Sequence, residues 1–130
     1  MAEKSTATSR ATIDARPERI WNAIMDPDLV SQAFFGAKVD TDWQVGSPIT
    51  WTGEWEGKPF RDTGEIRKVD QPHELVFTHY EHVVTFDLQP VDGSTEVTIT
   101  QTNAGSPEER EHSEENWDKL LETLKEITED

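Results

Sequence analysis

The pattern at the end of the chain most constrains what this sequence can fold into. About seventy Thr-rich residues with a period of two precede a final stretch of helical spacing. A helix with one apolar side needs a sheet or other helices to cover that side. We therefore expect an α+β fold in which a curved antiparallel sheet wraps around a long C-terminal helix, an arrangement that tends to enclose a cavity. The apolar residues of this helix are Trp117, Leu120, Leu121, Leu124 and Ile127.

Two short helices are expected between the first two strands. Residues 5–13 alternate and predict a strand. Pro17 suits the first turn of a helix, and Asp26-Pro27 ends that helix. Asp28 can start a second helix that runs through Phe34 to Gly36.

The middle of the chain predicts a meander that leads into the last helix. Strands are expected at 49–55, 61–69, 75–80, 84–88 and 97–101, with turns at Gly57-Lys58-Pro59, Asp70-Gln71-Pro72 and Asp92-Gly93. Ser106-Pro107-Glu108-Glu109 has the spacing of a capping box, so a helix should run from there to about residue 128. We expect residues 1–130 to form a single domain.

Composition excludes several classes of function. The chain holds 27 acidic and 12 basic residues, with a net charge of −15. Nucleic-acid binding and attachment to anionic membranes need basic surfaces, so neither is expected. There is no cysteine, no apolar run that could span a membrane and no signal-peptide pattern, which favours a cytoplasmic protein. We ascribe the acidity to solubility rather than to high-salt adaptation, and expect the acidic face of the last helix to be solvated.

A series of short motifs runs along the chain: Ile13-Asp14-Ala15, Pro17-Glu18, Trp21, Asp26-Pro27, Phe34-Phe35-Gly36, Val45-Gly46, Gly64, Val97-Thr98-Ile99-Thr100 and Trp117. These motifs and the order of the elements resemble the START-like (SRPBCC) superfamily with the helix-grip fold. Within it, the chain is most similar to bacterial homologues of the C-terminal domain of the heat-shock-protein-ninety ATPase activators. Phe34 departs from the Trp that this family often has, which alters the cavity wall.

This resemblance implies a ligand-sized cavity between the sheet and the last helix, but it implies no activity. Alternate strands of a meander point the same way, so the strands that end near Trp55, His79 and Gln101 should finish at one end of the sheet. We expect an apolar tunnel of Trp51, Ile66, Leu75, Phe77, Phe86, Ile99, Trp117 and Leu121. Its polar mouth would hold Trp55, His79, Gln101, Asn103 and His112. The ligand-binding candidates are Phe34, Trp51, Trp55, Phe77, His79, Gln101, Trp117 and Leu121.

His79 is a weak candidate for catalysis. It has the parity of Leu75 and Phe77, so it should point inward, where an imidazole can transfer protons near neutral pH. A structural histidine is the commoner outcome. The pattern His79-Tyr80-Glu81-His82 suggests a metal site only superficially, because alternate strand residues face opposite sides. We expect no metal and no cofactor.

Three functions remain open. Binding of a small apolar or aromatic molecule ranks first, because no catalytic constellation is visible. A cyclase-like enzyme that acts on a polyketide-type ligand through His79, with Gln101 or His112, ranks second. An interaction with a chaperone, as in activation of its ATPase, ranks third. The solvent-exposed face of the sheet and its edge strands could also support a weak homodimer.

Overall fold

The computed structural model describes residues 6–33 and 36–129. Within these ranges one sheet of seven strands, in the order β1-β7-β6-β5-β4-β3-β2, packs against helices. The strands are β1 (Ala7–Ile13), β2 (Lys38–Asp40), β3 (Pro48–Trp55), β4 (Lys58–Asp70), β5 (Glu74–His79), β6 (His82–Val91) and β7 (Ser94–Gln101). The helices are α1 (Pro17–Met25), α2 (Pro27–Ala33) and α3 (Pro107–Thr128). The helix-grip fold expected from the sequence is confirmed.

All neighbouring strands in the sheet are antiparallel. Strands β3, β5 and β7 therefore run in the same direction, and Trp55, His79 and Gln101 end these strands at one end of the sheet. Helix α3 follows β7 after a short connection, so it begins at this end. The topology thus brings polar strand ends and the start of α3 together, as the meander predicted.

The core lies between the concave face of the sheet and the helices. On α3, Leu120, Leu121 and Leu124 are each 1% exposed, and Trp21 of α1 is equally buried. The strands contribute the side chains of one parity, with Ile66, Leu88 and Ile99 completely inaccessible. Burial of this apolar set drives the sheet to curve around α3.

Both ends of α3 agree with the sequence. The Ser106 hydroxyl accepts the amide N–H of Glu109, and the Glu109 carboxylate accepts the amide N–H of Ser106. These reciprocal bonds satisfy two amides that the first helical turn leaves without partners. Among the described helices, none is long and apolar enough to cross a membrane.

Two local expectations were wrong. The turn after β3 consists of Glu56-Gly57, both left-handed with φ of 53° and 79°, and Lys58 already belongs to β4. A two-residue hairpin loop of this handedness matches the twist of the strands. Helix α2 is capped by Asp26 rather than begun by Asp28, because the Asp26 carboxylate accepts the amide N–H of Asp28 at 2.9 Å.

Candidate functional site

The hairpin between β5 and β6 places two histidines side by side. Its loop contains only Tyr80 and Glu81, so His79 and His82 are directly paired across the strands. Residues directly opposite each other in an antiparallel pair face the same side. Their rings are therefore stacked, with centroids 6.1 Å apart and an interplanar angle of 18°.

Asp62 on β4 receives two hydrogen bonds from this hairpin. Its carboxylate lies 3.0 Å from His79 Nε2 and accepts the Tyr80 hydroxyl, also at 3.0 Å. Since a carboxylate only accepts, His79 Nε2 carries a proton and leaves Nδ1 as the basic nitrogen of the neutral ring. Hydrogen bonding to the negative carboxylate also raises the pKa of the Tyr80 phenol above its ordinary value of 10.0.

Gln101, at the end of β7, is held by α3. The indole N–H of Trp117 donates to Gln101 Oε1 at 2.7 Å, which fixes the orientation of the amide. Gln101 is 9% exposed, and its Nε2 lies 3.4 Å from His82 Nδ1. His82 Nδ1 is itself 2.9 Å from the Thr102 carbonyl oxygen.

Asp62, His79, His82 and Gln101 border one cavity of about 390 Å³ between the sheet and α3. Its aromatic wall comes from Trp51, Phe60, Phe77 and Trp117, and α3 adds two further polar residues, Ser113 and Asn116. Trp51 lies at the centre of the wall, with ring centroids 5.5 Å from Phe77 and 5.2 Å from His79. A mostly apolar cavity with a few convergent polar groups is the usual form of a small-molecule site.

A second concavity, which we call the polar recess, adjoins the cavity at the start of α3. His82, Gln101 and Ser113 border both spaces. The recess has a volume of about 490 Å³. Its other side chains are mainly acidic or hydrogen-bonding: Glu81, Asn103, Glu108, Glu109 and His112.

The part of the chain that the structure describes contains no group of three or more His, Asp or Glu side chains arranged to hold a metal ion. His79 and His82 are adjacent, and one ring nitrogen of each has a hydrogen-bond partner. His79 Nε2 contacts Asp62, and His82 Nδ1 donates to the Thr102 carbonyl.

Comparison with known proteins identifies the family. The model of the family described as Activator of Hsp90 ATPase homolog 1-like protein matches residues 14–129. The chain belongs to this family. Among proteins with curated descriptions, none matches this chain.

Solved structures of bacterial proteins share the fold of this chain. ChR145 from Cytophaga hutchinsonii is 34% identical and has a TM-score of 0.84, over 98% of this chain and 95% of that one. MLL2253 from Mesorhizobium loti is 22% identical with a TM-score of 0.80, over 95% and 96%. The Aha1 protein from Colwellia psychrerythraea, solved in solution as a dimer, is 21% identical with a TM-score of 0.80, over 96% of each chain.

In this family member, five of the residues proposed from sequence border the cavity: Trp51, Phe77, His79, Gln101 and Trp117. Leu121 lies in the packed core and is not among the lining residues. Phe34 and the side chain of Trp55 lie outside what the structure describes. Asn103 and His112 border the polar recess instead of the cavity.

The predicted tunnel is shorter than expected. Ile66, Leu75, Phe86 and Ile99 have at most 1% exposure and fill the inner end of the sheet. Their side chains face the predicted side, but they pack against one another and against the helices. Parity along a strand decides which face a residue occupies, and the volumes of the opposing side chains decide whether space remains there.

Sequence reasoning missed Asp62 and His82. Asp62 has the parity of Gly64 and Ile66, and it is directly paired with Trp51, so the inward alternation of β4 could have found it. His82 was dismissed because strand neighbours face opposite sides. That argument does not hold across a two-residue loop, where positions i and i+3 are paired and face the same side.

Proposed function

We propose that this protein binds a small apolar or aromatic molecule in the cavity between the sheet and α3. The observation that carries the proposal is the aromatic wall of Trp51, Phe77 and Trp117, which borders the same cavity as a buried amide and two histidines. Aromatic walls provide a large apolar contact area with a defined geometry. The volume of about 390 Å³ lies within the range of ligand pockets.

A ligand screen with a blocked cavity tests this proposal. In a thermal-shift screen against lipids, polyketides and aromatic ketones, a ligand present at about a hundred times its Kd should raise the Tm of the protein by roughly 3–6 °C. Ser113→Trp places a large side chain in the cavity from α3 and should abolish these shifts. Glu115→Trp adds the same side chain at an exposed position of α3 and should keep them. Equal shifts in both variants would place the ligand elsewhere.

The role of the aromatic wall has its own matched pair of variants. Trp51→Phe should weaken binding several-fold, because the smaller ring contacts less of the ligand. Trp43→Phe makes the same change at a partly buried residue that does not border the cavity, and it should leave affinity unchanged. Unchanged affinity in Trp51→Phe would count against the proposed wall.

A second candidate function is cyclase-like proton transfer, which the bond between His79 and Asp62 favours. Asp62 holds the ring with Nδ1 as its base, and Gln101 could stabilise the developing enolate. Deuterium incorporation into the methyl group of 2-acetylnaphthalene, followed by NMR in D2O, tests it. His79→Gln and Asp62→Asn should slow exchange, whereas His73→Gln, on an exposed turn, should not. Equal rates in wild type and His79→Gln would remove His79 from the mechanism.

Interaction with a chaperone is a third candidate, and it rests on the family description alone. Two results would support this candidate: the protein stimulates the ATPase of a bacterial Hsp90, and that chaperone is retained on the immobilised protein. A negative result in both assays would contradict it.

A weak homodimer is a separate proposal. The dimeric relative from Colwellia psychrerythraea supports it, as do Tyr80 and Val83, which are 57% and 37% exposed beside the site. Sedimentation over a wide concentration range should then show a concentration-dependent mass. A constant monomer mass would contradict the dimer.

A further inference from the structure

We infer that the cavity is selective for neutral aromatic ligands with a carbonyl or hydroxyl oxygen, which accepts a hydrogen bond from the Gln101 amide, and that it discriminates against carboxylates and phosphates. This inference rests on the proposed binding function and adds the chemical class of the ligand. It follows from the hydrogen bonds around Gln101 and from the charges that border the two spaces.

The orientation of the Gln101 amide is decided by its partner on α3. The Trp117 indole N–H can only donate, so the amide atom 2.7 Å away is the oxygen. The NH2 group of Gln101 is therefore directed to the other side, toward His82.

His82 cannot accept from this NH2 group. A carbonyl oxygen only accepts, so His82 Nδ1, 2.9 Å from the Thr102 oxygen, carries a proton that it donates there. The longer contact of 3.4 Å between Gln101 Nε2 and His82 Nδ1 then joins two donors. Gln101 is more than nine-tenths buried, and its NH2 group thus finds no acceptor on His82, its nearest described neighbour. Gln101 borders both the cavity and the polar recess.

A buried donor of this kind favours a ligand that supplies an acceptor. Leaving an amide N–H unsatisfied in a buried site is costly, and a ligand oxygen at this point would remove that cost. The ring of such a ligand would lie against Trp51, Phe77 and Trp117, which border the same cavity.

The surrounding charges determine which acceptor is tolerated. Asp62 borders the cavity, and Glu81, Glu108 and Glu109 border the polar recess. Among the described lining residues of both spaces there is no Lys or Arg, and the whole chain carries a net charge of −15. A carboxylate or phosphate would meet these negative charges without a Lys or Arg to balance its own, whereas a neutral carbonyl or hydroxyl would not be repelled.

Three probes with one ring system test this inference on the wild-type chain. 2-Acetylnaphthalene has a neutral acceptor, 2-naphthoate has an anionic one and 2-ethylnaphthalene has none. We expect the ketone to bind about tenfold more tightly than ethylnaphthalene, and naphthoate to bind most weakly. Calorimetry gives the affinities, and heteronuclear NMR should show the ketone shifting the Gln101 NH2 and Trp117 indole resonances.

A variant pair assigns the preference to Gln101. Gln101→Glu keeps an oxygen for the Trp117 indole but removes the donor, so the advantage of the ketone over ethylnaphthalene should fall to less than about twofold. Gln89→Glu makes the same change on an exposed part of β6 and should retain the advantage. If Gln101→Glu does not fold, the three wild-type affinities decide the question alone.

The outcomes separate this inference from the proposed function. Equal affinity for all three probes, or tightest binding of naphthoate, would overturn the inference and leave the binding cavity intact. Binding of none of the probes at millimolar concentration would overturn the inference, whereas the proposed function is overturned only if the thermal-shift screen against lipids, polyketides and aromatic ketones also gives no hit.

Discussion

Asp62 joins strand β4 to the hairpin between β5 and β6, at the end of the sheet where β3, β5 and β7 finish. It lies on β4, yet its two carboxylate oxygens accept from His79 and Tyr80 of the next hairpin. Tyr80 has a φ of 55°, which is unfavourable for a residue with a bulky side chain. Its hydroxyl bond to Asp62 and its ring contact with His79, at 4.9 Å between centroids, help to hold that conformation.

The Asp62 contact predicts the titration of Tyr80, which is the single tyrosine of the chain. The pKa of its phenol should lie above 10.0 in the folded protein because Asp62 favours the protonated form. The stabilising contribution is therefore complete below the unfolded pKa and is lost as the pH rises through the higher folded pKa. Tyrosinate absorbance at 295 nm gives the midpoint.

Asp62→Asn should return the midpoint of Tyr80 toward its ordinary value. Asp92→Asn removes the same charge from the hairpin at the opposite end of the sheet, and it should leave the midpoint high. A midpoint that does not respond to Asp62→Asn would contradict the contact.

Gly64 allows β4 to approach β5. A Cβ added at this position would lie 1.7 Å from the Thr78 carbonyl oxygen and 2.6 Å from its carbon. Since both are backbone atoms, Gly64→Ala must separate the strands, and we expect it to lower the free energy of unfolding by more than ~2 kcal/mol in urea titration. Gly93→Asn, where a Cβ meets open space and Asn tolerates the positive φ, is the control. A loss below 1 kcal/mol, on the order of an ordinary surface change, would contradict the close approach.

At the scale of elements, the acidic face of α3 is mostly exposed, as expected from the sequence, but three of its carboxylates also contact strand β1. Strand β1 forms one edge of the sheet, and α3 runs along it. Glu114 accepts the amide N–H of Thr8 at 2.9 Å, and Glu129 accepts that of Asp14 at 2.8 Å. Asp118 accepts the Ser9 hydroxyl. Carboxylates of α3 therefore occupy donors on an edge that could otherwise pair with another strand.

Removing these contacts should loosen α3 from β1. The double variant Glu114→Ala/Glu129→Ala should lower the free energy of unfolding by ~1–2 kcal/mol. Glu111→Ala/Glu126→Ala removes the same two charges from exposed positions of α3 and serves as the control. Hydrogen exchange should also speed up at the Thr8 and Asp14 amides in the first double variant alone. Equal stability of the two double variants would show that the edge contacts contribute nothing.

At the scale of the whole molecule, the net charge of −15 is spread over a chain of 130 residues. Like charges at this density repel one another in the compact state, and salt screens that repulsion. The resolved ion pairs, such as Arg67 with Glu65 at 2.8 Å, are at the surface and contribute little.

We therefore expect Tm to rise as NaCl is increased from about 0.01 M to 0.3 M, since the Debye length falls from ~30 Å to less than 10 Å. Differential scanning calorimetry measures the change. KCl at equal ionic strength should give the same rise if screening is the cause. A Tm that is constant or falls with salt would contradict net self-repulsion.

Sequence patterns determined most of the fold because they are local and periodic. Alternation with a period of two assigned Leu75, Phe77 and His79 to one face, and the observed burial of the first two and the cavity contacts of His79 agree. The capping box at Ser106 located the start of α3, since it depends only on residues three apart. The common direction of β3, β5 and β7 followed from a meander with short turns.

The tertiary structure alone decided which polar groups meet. Asp62 reaches His79, and Trp117 reaches Gln101, only through the register of the strands and the rotation of α3 about its axis. A shift of one residue in β4 would turn Asp62 to the other face, and no local pattern fixes that register to a single residue. The sequence by itself thus determined a sheet wrapped around a helix with an aromatic interior. Side-chain packing and register decided where space remains and which hydrogen-bonding groups border it.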